Sequence, residues 1–288
     1  MHPFPSVPHV DDAPDELLES GHLWLLEAVA GAPLRFRLLE SGLVEFGDAD
    51  RVYEGPDDLP PQYGHAVRHI QTSLDREALR AAVDDVEAVV FFGQATQYRG
   101  VDYDWARMPS FLGSEIRSAD AERFRPPDAV DGIFDRLGLD PITPIEQEVR
   151  ARDFDPANYE IPESAWCDGP AAGVVIRDKS GHRARLPNPG VGDEPAAPTE
   201  TTAADLADRY GSRQRLTRLR ERLTESGQPV TVDALLERSL ESAFRELDPQ
   251  LFETGGGTGF ETGGETSVDR GAFRSELAGR VQRFITDQ

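Results

Sequence analysis

A series of short apolar runs, separated by turn residues, sets the strongest limit on how this chain can fold. Apolar runs of about four to eight residues bounded by Gly, Ser, Asp or Pro are typical of β-strands, whereas a helix needs a longer periodic stretch. Mainly apolar runs occupy residues 23–26, 43–46, 88–92, 111–116 and 173–177, residues 34–38 alternate apolar and basic side chains, and a turn after residue 177 leads into a further strand at residues 183–186. Residues 23–26, 34–38 and 43–46 follow one another across short turns and therefore predict an antiparallel meander.

Helical patterns alternate with these strands and then dominate the end of the sequence. Residues 75–83, 127–137 and 144–152 predict helices, and the last two open with Pro127 and Pro144 in the first turn, where proline is tolerated. Helical periodicity returns in residues 203–226, 231–247 and 267–286.

Two segments of biased composition divide the chain. Residues 188–202 are rich in Pro, Gly, Glu and Thr and predict a linker, while residues 253–265 are a low-complexity segment dominated by Gly and Thr. We therefore expect an α+β fold, with a sheet-rich domain over residues 22–187 and a small C-terminal helical domain over residues 203–288.

The charge pattern indicates where the protein works. The chain carries 53 acidic and 30 basic residues, for a formal net charge of −23, and Lys179 is its single lysine. An acidic surface almost without lysine suits a cytoplasm at molar salt, where the Debye length falls to about 3 Å and charge repulsion is screened. The alternative is an acidic protein that works at low salt and avoids nucleic acid. At high salt a negative net charge does not exclude RNA, but long-range attraction to RNA is lost.

Nothing in the sequence predicts a membrane or secreted protein. No apolar run approaches the length of about 18 residues that a membrane-spanning helix requires. Residues 1–10 lack the basic and apolar regions of a secretory signal. We therefore expect a cytoplasmic location and no membrane partner.

Five short motifs follow one another along the sheet-rich region. They are Glu27-Ala28-Val29-Ala30-Gly31, Phe46-Gly47-Asp48-Ala49, Phe92-Gly93-Gln94, Ala172-Gly173-Val174-Val175-Ile176-Arg177 and Arg183-Ala184-Arg185. Their order and their apolar strands resemble the ATP-dependent RNA ligases of the covalent nucleotidyltransferase superfamily. The resemblance covers residues 22–187 and implies a ligase-type nucleotidyltransferase domain built on antiparallel sheets. The helices that follow resemble the appendage that some of these ligases carry.

The sequence departs from the family where the family keeps its reactive groups. The replacements are Ala28 for the nucleophilic lysine, Ala30 for an aspartate, Ala49 for an arginine, Gln94 and Ala172 for two glutamates, and Arg185 for the final lysine. The glycines and apolar strand residues are retained. The resemblance therefore implies a degenerate member that keeps the scaffold without the catalytic groups.

Position 28 decides what chemistry can be expected. A lysine amine that is desolvated or flanked by cations can lose a proton and attack phosphorus, whereas the methyl group of Ala28 cannot. Salt adaptation does not explain this change, because it would favour arginine at this position. Lys179 is the only lysine candidate for a rearranged site, but its place in the predicted hairpin after Ile176 is typical of a solvated turn residue.

The retained positions imply a residual nucleotide pocket with ATP as the candidate ligand. The resemblance assigns this role to Glu27, Gly31, Gln94, Gly173, Arg177 and Arg185. Gln94 can still accept a hydrogen bond from a ribose hydroxyl, whereas Ala172 offers no oxygen to a metal ion. We therefore expect no required cofactor and no tight Mg²⁺ site, because the ion would depend on water and the nucleotide alone.

A pair of histidines raises the question of a metal centre. His65 and His69 lie four residues apart and would share one face of either a helix or a strand over residues 63–74. No nearby Cys or Glu completes a zinc ligand set. The sequence therefore predicts no metal site.

An arginine-rich stretch runs against the acidic background. In a helix over residues 203–226, Arg215, Arg218 and Arg222 would lie together on one side, with leucines on another side facing the core. This ridge either pairs with acidic groups of the protein itself or contacts phosphates of RNA or DNA ends.

Three functions are compatible with the sequence. The first is a catalytically inactive RNA ligase-like protein that binds a nucleotide, a nucleic-acid end or a partner. The second is an active ATP-dependent RNA ligase or nucleotidyltransferase with a rearranged site. The third is a protein-interaction module. The candidate partners are accordingly RNA, a nucleotide or another protein.

Overall fold

A computed structural model describes residues 1–119, 123–191, 201–252 and 268–287. The chain divides into two compact units, Met1–Glu194 and Pro195–Gln288. The predicted low-complexity segment 253–265 and most of the predicted linker 188–202 lie outside the described residues. The first unit also includes the segment before residue 22, which contributes Val10 and Leu17 to a buried core.

Two sheets form the first unit. Their strands are β1 (His22–Glu27), β2 (Gly31–Leu38), β3 (Val44–Gly47), β4 (Val89–Thr96), β5 (Phe111–Ser118), β6 (Arg123–Phe124), β7 (Pro144–Arg150), β8 (Gly173–Arg177) and β9 (Arg183–Pro187). The smaller sheet has the order β7-β1-β8-β9, and the larger sheet has the order β3-β2-β4-β5-β6. Neighbouring strands pair antiparallel. The predicted α+β fold with antiparallel sheets is confirmed.

The predicted meander is wrong for its first strand. β2 and β3 do form a hairpin, but β1 pairs with β7 and β8 in the other sheet. β1 is buried along almost its whole length, so it needs partners on both edges and cover on both faces. The chain therefore leaves the smaller sheet at Glu27, passes through residues 28–30 and enters the larger sheet at Gly31.

The helix predicted at residues 144–152 is also wrong. These residues form β7 and a short 3₁₀ turn, and β7 pairs with β1 from Leu26↔Pro144 to His22↔Arg150. Pro144 is the first residue of an edge strand, where a missing N–H is tolerated as well as it is at a helix start. Pairing with β1 overrides the local helical pattern because an unpaired edge of β1 would leave buried backbone groups without partners.

Helices cover one face of the larger sheet. The helices of the first unit are α1 (Asp15–Glu19), α2 (Gly64–Ser73), α3 (Arg76–Ala82) and α4 (Pro127–Arg136). The open choice over residues 63–74 is thus resolved as a helix. Side chains of α2, α3 and α4 pack on the sheet around Phe36 and Phe91, whose rings stack at 4.9 Å. The opposite face of this sheet lies toward the smaller sheet, and Glu115 on β5 pairs with Arg177 on β8 across the gap.

The second unit is helical. Its helices are α5 (Ala203–Tyr210), α6 (Arg213–Glu225), α7 (Val232–Glu246) and α8 (Arg270–Thr286). The single helix predicted over residues 203–226 is wrong, because Gly211 ends α5 and Ser212 occupies the N-cap position of α6. Both residue types are common at these positions. Within the described parts of the chain, no helix combines the length and the apolar character needed to cross a membrane.

Close packing of α4 on β5 gives the first testable prediction. A Cβ atom at Gly113 would lie 2.3 Å from the ring of Phe134, so Gly113→Ala forces this buried ring to move. We expect a loss of about 1–3 kcal/mol in the free energy of unfolding, measured by urea denaturation. The control is Gly132→Ala on α4, the helix that carries Phe134. Its Cβ would have no neighbour closer than 3.8 Å, and alanine favours a helix by about 0.5–1 kcal/mol over glycine. Equal effects of the two changes would contradict this account of the packing.

Candidate functional site

A cleft opens between the two sheets where β1 passes into β2. Its volume is about 690 Å³, which lies within the range of about 300–1,000 Å³ typical of small-molecule sites. The motif residues that line it are Glu27, Ala28, Ala30, Gly31, Ala49, Gln94, Ala172, Arg177 and Arg185. The structure therefore brings together positions that lie far apart in the sequence.

The wall at position 28 is made of hydrocarbon. The backbone N–H of Ala28 donates to the carbonyl oxygen of Gly173 over 3.0 Å, which fixes the β1–β2 connection against the start of β8. Ala28 and Ala172 both line the cleft, together with apolar residues such as Val175. Where the resemblance places an amine and a carboxylate, the cleft has two methyl groups.

Gly173 has a structural role at this wall. It does not line the cleft, although the sequence placed it in the nucleotide-binding set. Its φ is +148°, and a Cβ atom there would lie 2.5 Å from the carbonyl oxygen of Leu186 on β9. A side chain at Gly173 is therefore excluded by the close approach of the neighbouring strand.

Tyr103 supports the connection from the other side. The N–H of Ala30 donates to the Tyr103 hydroxyl oxygen over 2.8 Å. Tyr103 is buried, and its burial raises the pKa of the phenol, so the hydroxyl stays protonated. The connection through residues 28–30 is thus held by two hydrogen bonds, one to the backbone of Gly173 and one to the side chain of Tyr103.

Glu27 is the one motif carboxylate that survives in the cleft, and it is already occupied. The hydroxyl of Ser164 donates to its Oε1 over 2.5 Å, and the N–H of Ala165 donates to its Oε2 over 3.2 Å. Burial raises the pKa of Glu27, while these two hydrogen bonds act to lower it. Sequence reasoning missed Ser164 and Ala165, because they come from an irregular loop without a pattern.

A buried group of charges lies deeper in the cleft. Glu115 on β5 receives Arg177 Nε at 3.6 Å and Arg183 Nη1 at 3.2 Å. Arg177 Nη1 also donates to the carbonyl oxygen of Ser114 over 2.7 Å, and burial lowers the pKa of Arg177. Arg177 therefore lines the cleft while its guanidinium shares Glu115 with Arg183.

Arg185 presents the exposed positive charge among the motif residues. It lies on the edge strand β9 and lines the cleft. Gln94 on β4 also lines the cleft and is only partly buried. These two side chains are the motif polar groups best placed to meet a ligand.

Lys179 lies elsewhere. Its Nζ contacts Asp128 Oδ2 at 2.7 Å and Glu148 Oε1 at 4.0 Å, and it stands 4.8 Å from the centre of the Trp24 ring. It is not among the residues that line the cleft. The single lysine therefore lies in the turn between β8 and β9, where carboxylates of α4 and β7 hold it.

The histidines lie on α2, outside the cleft. His69 Nε2 is 3.6 Å from Asp140 Oδ2, and His65 is buried in the first unit. In the described ranges of the chain, no three His, Cys, Asp or Glu side chains are arranged to hold a metal ion.

The arginine ridge on α6 is split between two environments. Arg215 makes a bidentate pair with Glu246 on α7, at 3.0 and 2.8 Å, and stacks 4.7 Å from the centre of the Tyr210 ring. Arg218 and Arg222 are exposed. Arg215 thus stabilises the packing of α6 on α7, whereas Arg218 and Arg222 face solvent.

Solved RNA ligases have similar structures. An archaeal ATP-dependent RNA ligase is 17% identical over 85% of this chain and 63% of its own, with a TM-score of 0.46. A variant of a Naegleria gruberi RNA ligase, solved with ATP and Mn, is 9% identical over 66% of this chain and 56% of its own, with a TM-score of 0.51. The chain thus spans less than two thirds of the length of either ligase. No protein-family profile and no curated protein matches the sequence. At these identities the similarity concerns the fold, which is the ligase-type nucleotidyltransferase fold.

The buried charge group gives a prediction about stability. Glu115→Ala leaves Arg177 and Arg183 buried without a carboxylate, and we expect a loss of about 3–5 kcal/mol in the free energy of unfolding. The control is Glu45→Ala. Glu45 pairs with Arg37 at 2.7 Å in the same sheet but keeps 24% of its side chain exposed. That pair should contribute about 1 kcal/mol or less. Similar losses in the two variants, measured by urea denaturation, would show that the buried group has no special role.

Glu27 gives a prediction about pH. Its pKa is raised in the folded protein, so the folded state holds this proton more tightly than the unfolded state does. The free energy of unfolding of the wild type should therefore fall relative to Glu27→Gln as the pH rises from about 4 to 7. Denaturation curves of both proteins across this range measure the difference. If the difference in the free energy of unfolding stays constant or moves in the opposite direction, burial does not destabilise the ionised carboxylate of Glu27.

Proposed function

We propose that this protein binds an adenine nucleotide in the cleft between its two sheets and does not transfer the nucleotide to itself. The observation that carries the proposal is the cleft at Ala28, which is open to a ligand and lacks an amine. The protein would act as a nucleotide-dependent binding protein built on an RNA ligase fold.

The lining of the cleft supports a nucleotide ligand. Val175, Leu26 and Ile142 give an apolar surface for a base or sugar. Gln94 offers both a donor and an acceptor to ribose hydroxyls, and the exposed Arg185 can pair with a phosphate group. The Naegleria gruberi ligase variant solved with ATP and Mn has a similar fold, which supports ATP as the nucleotide.

The position of Lys179 argues against a rearranged active site. Lys179 stacks on Trp24 of β1, and Trp24 lies four residues before Ala28 in the sequence. At about 3.3 Å per residue, four strand residues correspond to about 13 Å. The amine is therefore far from the place where a family nucleophile would stand, and its contacts with Asp128 and Glu148 hold it in the protonated form.

We expect Mg²⁺ to add little to binding. Glu27 is held by Ser164 and Ala165, and Glu115 is held by two arginines, so neither carboxylate is free to coordinate an ion. Ala172 has no oxygen in its side chain. Asp50 is the other carboxylate in the lining, so any Mg²⁺ would depend on the phosphates of the nucleotide with at most this one protein ligand.

Labelled ATP tests the proposal at high and low salt. We expect saturable binding in equilibrium measurements and no labelled protein band on a denaturing gel. Arg185→Ala should weaken binding about tenfold or more, because a hydrogen bond to a charged group contributes about 1.5–3 kcal/mol. Lys179→Ala should leave binding unchanged, since Lys179 lies outside the cleft.

Two results would overturn the proposal in different ways. A covalent adenylate that disappears in Lys179→Ala would establish an active enzyme with a rearranged site. Absence of any ATP binding at the cleft would leave the protein-interaction module as the better reading.

We further propose that α6 contacts RNA phosphates through Arg218 and Arg222. Both side chains are exposed in a chain of net charge −23, whereas Arg215 is already paired with Glu246. Replacing Arg218 and Arg222 with glutamine should weaken RNA binding at low salt and reduce the slope of log affinity against log salt by about 1 per contact. Arg215→Gln should instead lower stability. An unchanged salt slope in the double variant would exclude this surface.

A further inference from the structure

The segment of residues 2–9, here called the strap, runs across the mouth of the cleft. It has no regular secondary structure up to His9. Four of its residues, Phe4, Pro5, Ser6 and Val7, line the cleft together with the motif residues. The strap is therefore part of the wall of the nucleotide site.

One end of the strap is fixed to the larger sheet. The carbonyl oxygen of His2 accepts a hydrogen bond from Arg35 Nη1 on β2 over 2.9 Å. The ring of Phe4 packs edge-on against Phe92 on β4, with ring centres 5.5 Å apart. The ring of His2 contacts Phe92 at 6.3 Å and Phe124 on β6 at 5.8 Å.

The other end is fixed to the smaller sheet. The carbonyl oxygen of Pro8 accepts a hydrogen bond from the N–H of Arg185 over 2.7 Å. His9 forms a parallel bridge with Arg185, which lies on the edge strand β9. Val10, directly after the strap, is buried in the core of this sheet. The strap thus connects the edge of one sheet to the face of the other.

Arg35 shows what the strap covers. It is only 3% exposed, and within the described residues its Nε atom has no hydrogen-bond partner. Burial lowers the pKa of Arg35, while Asp48 and Asp50 act to raise it. The strap bonds Nη1 of this guanidinium, and a phosphate group in the place of the strap would accept the same N–H.

We propose that the strap restricts the cleft to a mononucleotide and excludes a polynucleotide end until the strap is displaced. A mononucleotide fits within the 690 Å³ that the strap leaves open. A polynucleotide must continue out of the cleft, and the strap crosses its mouth from sheet to sheet. Displacement exposes Arg35, Phe92 and Phe124, which offer a cation for phosphate and rings for base stacking. This inference rests on the proposed nucleotide site.

A double variant, His2→Ser with Phe4→Ser, tests the proposal in the full-length protein. It removes the ring contacts with Phe92 and Phe124, so the strap should detach more often. The matched control is His22→Ser with Leu43→Ser. It removes one histidine and one apolar side chain that are exposed and lie outside the cleft. The probes are fluorescent ATP and a fluorescent, 5′-phosphorylated single-stranded RNA of eight nucleotides.

We expect the strap variant to bind the RNA roughly tenfold more tightly than the wild type and the control, because the competent state is more populated. Unlabelled ATP should compete for this added binding, since both ligands use the cleft. Because Phe4 lines the cleft, the Kd for ATP is measured in each protein, and the competing ATP is added well above that Kd. Equal RNA binding in the wild type and the strap variant, at any strength, would overturn the proposal, as would added binding that ATP does not reduce.

The two proposals fail separately. ATP binding without a gain in RNA binding would remove the strap's role and leave the nucleotide site. A gain in RNA binding by the strap variant, with no ATP binding in any of the proteins, would overturn both the nucleotide site and an ATP-competed strap. A gain that ATP competes for would support both.

Discussion

The crossing of the chain from β1 to β2 is the constraint on which the site depends. β1 is hydrogen-bonded on both edges and buried on both faces, so the chain must leave its sheet abruptly after Glu27. The bond from Ala28 N–H to the Gly173 carbonyl fixes this exit against β8. Because the next strand belongs to the other sheet, residues 28–30 form one wall of the cleft between the sheets. The motif residues meet there because they lie on the strands that border this crossing.

Two acidic side chains that line the cleft, Glu27 and Glu115, are held by contacts within the protein. Glu115 on the larger sheet pairs with Arg177 and Arg183 on the smaller sheet, so these ion pairs join the two sheets. Glu27 accepts hydrogen bonds from a loop and has a raised pKa. Buried charges of this kind are expensive to leave without an opposite charge, and Glu115 lies within ion-pair distance of both arginines.

Local patterns predicted most strands correctly, and the failures have clear physical causes. The runs that became β4, β5 and β8 are mainly apolar and form buried strands, and the alternation in residues 34–38 matches the half-buried β2. Residues 144–152 predicted a helix because a first-turn proline and mixed charges suit a helix as well as an edge strand. They form β7 because β1 needs a hydrogen-bonding partner on that edge. The break at Gly211 and Ser212 could have been predicted from their capping preferences. Ser164, which holds Glu27, could not, because its role arises from a contact between residues far apart in sequence.

The sequence by itself determined that the protein has sheet-forming and helical parts, that it lacks an amine at position 28, and that Lys179 is its single lysine. These are statements about composition and local periodicity, and folding cannot change them. The tertiary structure decided that residues from each of four motifs and Arg185 of the fifth line one cleft, that Lys179 lies outside it, and that the strap contributes to its wall. Those facts depend on which strands pair and which side chains are buried together, and such long-range contacts leave no periodic trace in the sequence.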